Sequence, residues 1–257
     1  MHMRNGAKDS NNIAGRVAGK NPHHDLKIRQ VISMEQRSMH QASVGSLSTL
    51  ETNKVLKNTY LLLSATLGFS AIMAGFSMVM GVPGGAYIIC LIASMVLGMF
   101  VLPRTANSGA GLGVIFLVTG LLGFGLGPII SIYLALSNGA QVVGTALGGT
   151  AVIFLGLAGY AMTSKRDFSF MGGFVAIGLM VMVIGIIANI FLQLPLMSVV
   201  ISGGIIMLMS AMILMQIGSI VNGGETNYIM ATYSLYLSIF NIFISLLQLL
   251  GIFGSDD

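Results

Sequence analysis

The chain has 257 residues, of which 55% are hydrophobic and only 8% charged, and its mean hydropathy is +0.89. A soluble domain carries about 25% charged residues, so this composition excludes an ordinary soluble fold and predicts a surface that faces lipid. The net charge of +4 does not indicate nucleic-acid binding, because nine of the twelve Lys and Arg lie in residues 1–59, a distribution typical of membrane orientation.

The N-terminal segment 1–47 is basic and rich in Asn, Ser, Gln, His and Gly. This composition predicts a cytoplasmic and largely disordered tail. Ser48 and Glu51 form an S-x-x-E capping box, which predicts a helix that begins there and runs into the first apolar span. His23 and His24 are adjacent, but two His in such a tail are not expected to form a metal site.

Seven uncharged runs follow, each long enough to cross about 30 Å of hydrocarbon. We therefore predict an all-α polytopic membrane protein, with a membrane domain at 48–253 and a short periplasmic C-terminus at 254–257. The weakest separation is at Pro195, where a turn is preferred because one kinked span of about fifty residues is implausible. The predicted spans are 60–80, 86–103, 112–134, 142–163, 170–192, 197–219 and 229–252.

The loops indicate how these spans are oriented. Arg104, Lys165 and Arg166 fall in the second and fourth loops, and the intervening loops carry no charge. The positive-inside rule therefore predicts a cytoplasmic N-terminus, a periplasmic C-terminus and a cytoplasmic sixth loop. In that loop we predict that Asn222 and the glycines end the sixth helix, that Thr226 and Asn227 start the seventh, and that Glu225 is solvated.

Glycine is abundant, with 34 residues, and two motifs stand out. Gly123-x-x-x-Gly127 and Gly144-x-x-x-Gly148 place small residues one turn apart, which predicts close packing between helices. The sequence GLLGFGLGP (120–128) lacks both a Lys and a preceding strand, so it is not expected to bind nucleotide. Cys90 is the single cysteine and allows no intramolecular disulfide.

The seventh span carries polar side chains at spacings of 4, 3, 4 and 3 residues, which place them in one stripe along a helix. We call this stripe the helix-seven seam, and Asn189, Gln193 and Gln216 are its predicted partners. One interpretation is hydrogen bonding between helices, worth about 0.6–2 kcal/mol per bond. The other is a solvated pathway or ligand cavity. The seam comprises Ser234, Ser238, Asn241, Ser245 and Gln248.

Catalysis is not expected. The sequence contains no H-E-x-x-H motif, no Ser–His pairing and no pair of Asp within the spans. We therefore predict that the protein is not an enzyme and that it uses no catalytic residue, metal ion or cofactor.

Three stretches of the sequence carry a resemblance to known proteins: GFGLGPIISIYL (123–134), ANIFLQLP (188–195) and GGETNYIMATYSLYLSIFNIFISLLQLLG (223–251). They resemble the Bax-inhibitor family of seven-helix membrane proteins, and in particular its bacterial inner-membrane branch. The resemblance implies six helices around a central seventh, in the bacterial inner membrane. It also implies a protein that binds and modulates an ATP-dependent membrane protease of the FtsH type, as a competitor or a slow substrate.

The resemblance also bears on ion transport. The resemblance implies that the calcium-leak members of the family have two buried Asp, one on helix six and one on helix seven. These two Asp form a pH-sensitive latch. The matching positions here are Gln216 and Ser238, and neither titrates or supplies the carboxylate oxygens that Ca²⁺ favours. We therefore expect a regulator, with a leak for ions (calcium or protons) or small solutes as the alternative. Whether the protein forms a homo-oligomer stays open.

Overall fold

The computed structural model describes residues 52–164 and 166–254. The predicted tail, its capping box at 48–51 and its His pair lie outside the described residues, as do Lys165 and residues 255–257. The subdivision of the chain at residues 47 and 253 therefore stays a prediction.

Seven long helices make up the described chain, which confirms the predicted all-α class. Each is long and apolar enough to cross a membrane, and no strand occurs between residues 52 and 254 in the described ranges. A 3-10 turn at Ser169–Met171 leads into the fifth helix. The helices are α1 (Thr52–Val79), α2 (Gly85–Thr105), α3 (Ala110–Leu134), α4 (Gly139–Ser164), α5 (Gly172–Leu192), α6 (Pro195–Val221) and α7 (Tyr228–Gly254).

The turn between α5 and α6 confirms the prediction made at Pro195. Gln193 has a φ of 50°, a left-handed conformation that ends α5, and its N–H donates to the Asn189 carbonyl at 2.8 Å. Leu194 is extended, as the residue before a proline prefers. Pro195 then occupies the first turn of α6, where its missing N–H costs no helical hydrogen bond.

Helix α2 changes its winding near the end that leads to α3. Residues Leu97–Val101 form a π-helical turn, and Pro103, which cannot donate a backbone hydrogen bond, lies two residues beyond it. The Arg104 guanidinium donates to the Phe100 carbonyl within this turn at 2.9 Å. Gly98, also in the turn, packs directly against the Tyr233 ring of α7, so the wide turn lies where α2 meets α7.

The two glycine motifs have different environments. A Cβ on Gly123 would collide with Ser70 of α1, and one on Gly127 would lie 2.7 Å from the Ala74 carbonyl, so close packing is confirmed for this motif. For Gly144 and Gly148 the prediction is wrong, because a Cβ on either would meet no atom within 4 Å. Helix α4 instead buries a neighbouring face, formed by Val142, Ala146 and Thr150.

Helix α7 contacts most of the other helices. It hydrogen-bonds to α1, α3 and α6 and packs against α2 and α4. Helix α5 packs mainly against α6. It is the least buried of the seven helices, because only 6% of the residues in its most apolar stretch are buried within the protein. The arrangement of six helices around a central seventh stays a prediction.

Candidate functional site

Four segments meet on one face of the helix bundle. The Asn227 side chain donates to the Ala106 carbonyl at 3.2 Å and to Asn107 Oδ1 at 2.8 Å, which joins the α6–α7 loop to the α2–α3 loop. Gly223 of the same loop faces Thr52 at the start of α1. Residues of the α6–α7 loop and of the α4–α5 loop line one common cavity. We call this the basic face. The exposed basic residues of these segments are Lys54, Lys57, Arg104 and Arg166.

The α6–α7 turn has the predicted ends. Gly223 has a φ of +75° directly after Asn222, the C-cap of α6, a conformation that glycine adopts without strain. Asn227 Oδ1 accepts hydrogen bonds from the backbone N–H groups of Ile229 at 2.9 Å and Met230 at 3.1 Å, so Asn227 is the N-cap of α7.

The acidic residues of the basic face stabilise local backbone structure. Glu225 is partly buried rather than fully solvated, and its carboxylate accepts the Asn227 N–H at 2.8 Å. Asp167 accepts the Ser169 N–H at 2.9 Å. The backbone and side-chain hydrogen bonds from Ser169 hold the pKa of the Asp167 carboxyl below its usual range. Both carboxylates are therefore accounted for by turns.

We expect Asn227→Ala to lower the free energy of unfolding by about 1–2 kcal/mol, because it removes the α7 N-cap and the tie to the α2–α3 loop. The measurement is unfolding of the purified protein in mixed micelles by titration with a denaturing detergent. Thr226→Ala, at the exposed neighbouring position, is the control and is expected to change the stability little. Equal losses for the two variants would contradict the capping role.

Gln216 lies beside the basic face. It lines a cavity of about 510 Å³ together with Asp167, Ser219 and Asn222. Within the described residues, no hydrogen bond joins Gln216 to Ser238. The Ser238 hydroxyl instead donates to the Ser234 carbonyl one turn earlier, at 3.1 Å. The structure therefore does not bring the two former acid positions into direct hydrogen bonding.

The other seam residues divide into two groups. The Asn241 amide, like the Ser238 hydroxyl, donates locally, to the Leu237 carbonyl at 2.8 Å. Gln248 makes the predicted kind of interhelical bond, but with a partner that the sequence analysis missed, Ser202 of α6, whose hydroxyl donates to Gln248 Oε1 at 2.8 Å. Ser245 is 3% exposed, and its hydroxyl makes no hydrogen bond among the described residues.

The two seam partners predicted in α5, Asn189 and Gln193, have different environments. The Asn189 amide donates to the Ser198 hydroxyl of α6 at 2.7 Å, and Asn189 Oδ1 accepts the Leu194 N–H at 3.1 Å. Asn189 therefore secures the α5–α6 turn while facing the seam across a cavity. Gln193 is exposed at the end of α5 and does not line that cavity.

This cavity, which we call the lateral cavity, has a volume of about 480 Å³. It lies among α2, α3, α5, α6 and α7, and it contains the seam residues Asn241, Ser245 and Gln248 but not Ser234 or Ser238. Most of its wall is apolar. The polar residues that line it outside the seam are Asn189, Ser198 and Tyr87.

A hydrogen-bond network on the other side of α7 was missed by the sequence analysis. The Tyr236 hydroxyl lies 2.5 Å from the Ser70 hydroxyl of α1 and donates to the Thr119 carbonyl of α3 at 3.3 Å. Tyr236 is 1% exposed, so this network lies deep in the bundle and joins three helices. The helical period places Tyr236 on the face of α7 opposite the seam. This was the feature of the sequence from which the network could have been predicted.

Comparisons with known proteins agree with this architecture. Residues 52–255 match the family model described as "Inhibitor of apoptosis-promoting Bax1". The chain is 48% identical over 210 residues to the "Modulator of FtsH protease YccA" of Escherichia coli K12, which covers 82% of this chain and 94% of that protein. The "Inner membrane protein YccA" of Escherichia coli O6:H1 matches equally well. An uncharacterized membrane protein of Vibrio cholerae is 46% identical over 209 residues, covering 81% of this chain and 94% of the relative.

Proposed function

This chain belongs to the Bax-inhibitor family, and we propose on that premise that it is an integral inner-membrane regulator of an FtsH-type, ATP-dependent membrane protease. It binds the protease and modulates it as a competitor or a slowly processed substrate, which affects the quality control of membrane proteins. The observation that carries the proposal is the similarity to a modulator of that protease along nearly the whole length of the relative.

The chemistry of the described residues supports a regulator. Gln216 and Ser238 occupy the positions that match the two Asp of the calcium-leak members by resemblance, and neither side chain titrates. The two do not hydrogen-bond to each other in the described chain. A latch of that kind opens when two carboxylates lose a shared proton, and these two positions provide no carboxylate. Regulation through binding requires no such pair.

The basic face is proposed to be cytoplasmic, because its four exposed Lys and Arg follow the positive-inside rule. On this proposal the N-terminal segment 1–47 is also cytoplasmic and gives the protease a segment that it can grip. The C-terminus is then periplasmic. The Asn227 contacts hold the α2–α3 and α6–α7 loops together on the same side, where a second surface is available to the enzyme.

The test measures the half-life of another membrane substrate of the protease by pulse-chase while this chain is overexpressed. We expect the half-life to lengthen several-fold, and we expect the protease to copurify with the chain. A variant that lacks residues 2–47 but keeps the seven helices is expected to lose most of this protection. An unchanged half-life at high expression of the intact chain would overturn the proposal.

The alternative function is a leak for ions or small solutes along the seam. Within the described residues, the cavity at Gln216 and the lateral cavity share no lining residue, so they are two separate spaces. Flux into liposomes between about pH 5 and 8, the range in which His and perturbed acids switch, is the direct assay. Flux that Gln216→Leu and Ser238→Leu abolish would favour the leak over regulation.

A further inference from the structure

The lateral cavity has no part in the proposed regulation, yet it holds unused hydrogen-bonding groups. Ser245 is 3% exposed and lines the cavity, and its hydroxyl makes no hydrogen bond to any described residue. Gln248 uses its carbonyl oxygen on Ser202, and Asn241 uses its amide on Leu237. A hydroxyl, an amide donor and an amide acceptor therefore remain along two turns of α7, in a region where unpaired polar groups are costly.

The lining also restricts the charge of an occupant. Among the described residues it contains no Asp, Glu, Lys, Arg or His, so no described side chain there compensates a buried charge. An isolated charge in such surroundings is strongly disfavoured, whereas a hydroxyl or an ester can pair with Ser245, Asn241 and Gln248. The polar end of an occupant is therefore uncharged.

The opening of the cavity indicates where an occupant comes from. Leu91 of α2 and Ile186 and Ile190 of α5 line it and are themselves 38%, 41% and 64% exposed. These residues lie within helices that are long and apolar enough to cross a membrane, so we expect this side of the cavity to face hydrocarbon. A volume of about 480 Å³ suits one small ligand, and the apolar walls suit an alkyl chain.

We propose that the lateral cavity binds a neutral single-chain lipid, which enters from the bilayer between α2 and α5. The uncharged head, bearing hydroxyl or ester groups, pairs with Ser245, Asn241 and Gln248, and the hydrocarbon chain lies against Ile186, Ile190 and Leu91. The site is independent of the protease, so its test can fail without affecting the proposed regulation.

The first experiment uses the full chain in phosphatidylcholine vesicles with a monoacylglycerol that carries a photoreactive diazirine on its acyl chain. We expect labelling of α5 and α7 peptides around the cavity, and we expect excess unlabelled monoolein to reduce it. A diazirine alkane without a head group is expected to label lipid-facing residues without competition. Equal patterns for the two probes, or competition by anionic phosphatidylglycerol as strong as by monoolein, would overturn the proposal.

Matched substitutions test the polar contact. Ser245→Val is expected to weaken monoolein competition about tenfold, as the loss of one hydrogen bond predicts. Ser234→Val, in the same stripe of α7 but outside the cavity, is expected to leave it unchanged. Equal weakening by the two variants would overturn the assignment of Ser245.

A second measurement does not depend on the stability of the Ser245 variant. The chain contains no Trp, so Ile190→Trp introduces a single fluorophore at the opening of the cavity. Brominated monoolein is expected to quench it saturably at low mole fraction. Phe191→Trp, at nearly the same depth, 82% exposed before substitution and outside the lining, is expected to show only the linear quenching of bulk lipid. Identical quenching curves would overturn the site.

Discussion

Gly123→Ala is expected to destabilise the protein, whereas Gly144→Ala, in the second motif of the same spacing, is expected to be neutral or stabilising. A Cβ at position 123 would collide with the Ser70 backbone carbonyl and Cα of α1, and backbone atoms cannot rotate away as a side chain can. Forcing one extra carbon into a packed contact costs about 1–3 kcal/mol. At position 144 there is open space, and Ala gains up to about 1 kcal/mol of helix propensity.

The measurement is the free energy of unfolding of each variant in the same mixed micelles, together with the yield of folded protein after extraction. Gly148→Ala provides a second control, since a Cβ there also meets no atom within 4 Å. Shifts of the same sign and size at positions 123 and 144 would show that α1 and α3 do not pack as closely as described.

Tyr236→Ala is expected to produce the largest loss of stability among these substitutions, about 3–5 kcal/mol. Tyr236 is 1% exposed and joins α7 to α1 and α3, so truncation removes a buried ring and leaves a cavity. Tyr236→Phe keeps the ring and removes only the hydroxyl, so its expected cost is about 1–2 kcal/mol, from the unpaired Ser70 hydroxyl and the lost bond to Thr119.

Unfolding of the purified variants measures this gradation, and Tyr160→Ala is the matched control. Tyr160 is 48% exposed, so its truncation is expected to cost less than about 1 kcal/mol. Tyr236→Phe costing as much as Tyr236→Ala would assign the stability to the hydrogen bonds alone. No difference between Tyr236→Ala and Tyr160→Ala would contradict the buried network.

The packing of α7 also decides what its seam can do. Tyr236 and Thr232 hold one side of the helix against α1 and α3, and the seam therefore faces away from them. On the seam side, Ser202 of α6 donates a hydrogen bond to Gln248. The lateral cavity occupies space that remains between the helices on this side. One interhelical hydrogen bond therefore occurs at Gln248 and a cavity lies at Ser245, while the role of the seam as a solvated pathway or ligand cavity stays a prediction.

The sequence by itself determined the number of helices and, apart from the start of the first, the approximate places where they begin and end. Hydropathy over about 20 residues is a local property, and so are the turn residues Gln193, Pro195 and Asn227, which set their own backbone geometry and caps. For this reason the seven spans and the two turns could be predicted without knowledge of any neighbour.

Only the tertiary structure decided which face of each helix packs against protein. In a soluble helix the buried face is the apolar one, but in a membrane both the buried and the lipid-facing surfaces are apolar, so the pattern of hydropathy does not distinguish them. Gly123 and Gly144 share one motif, yet only Gly123 has a neighbouring backbone against it. The Tyr236 network and the lateral cavity depend in the same way on residues distant in sequence.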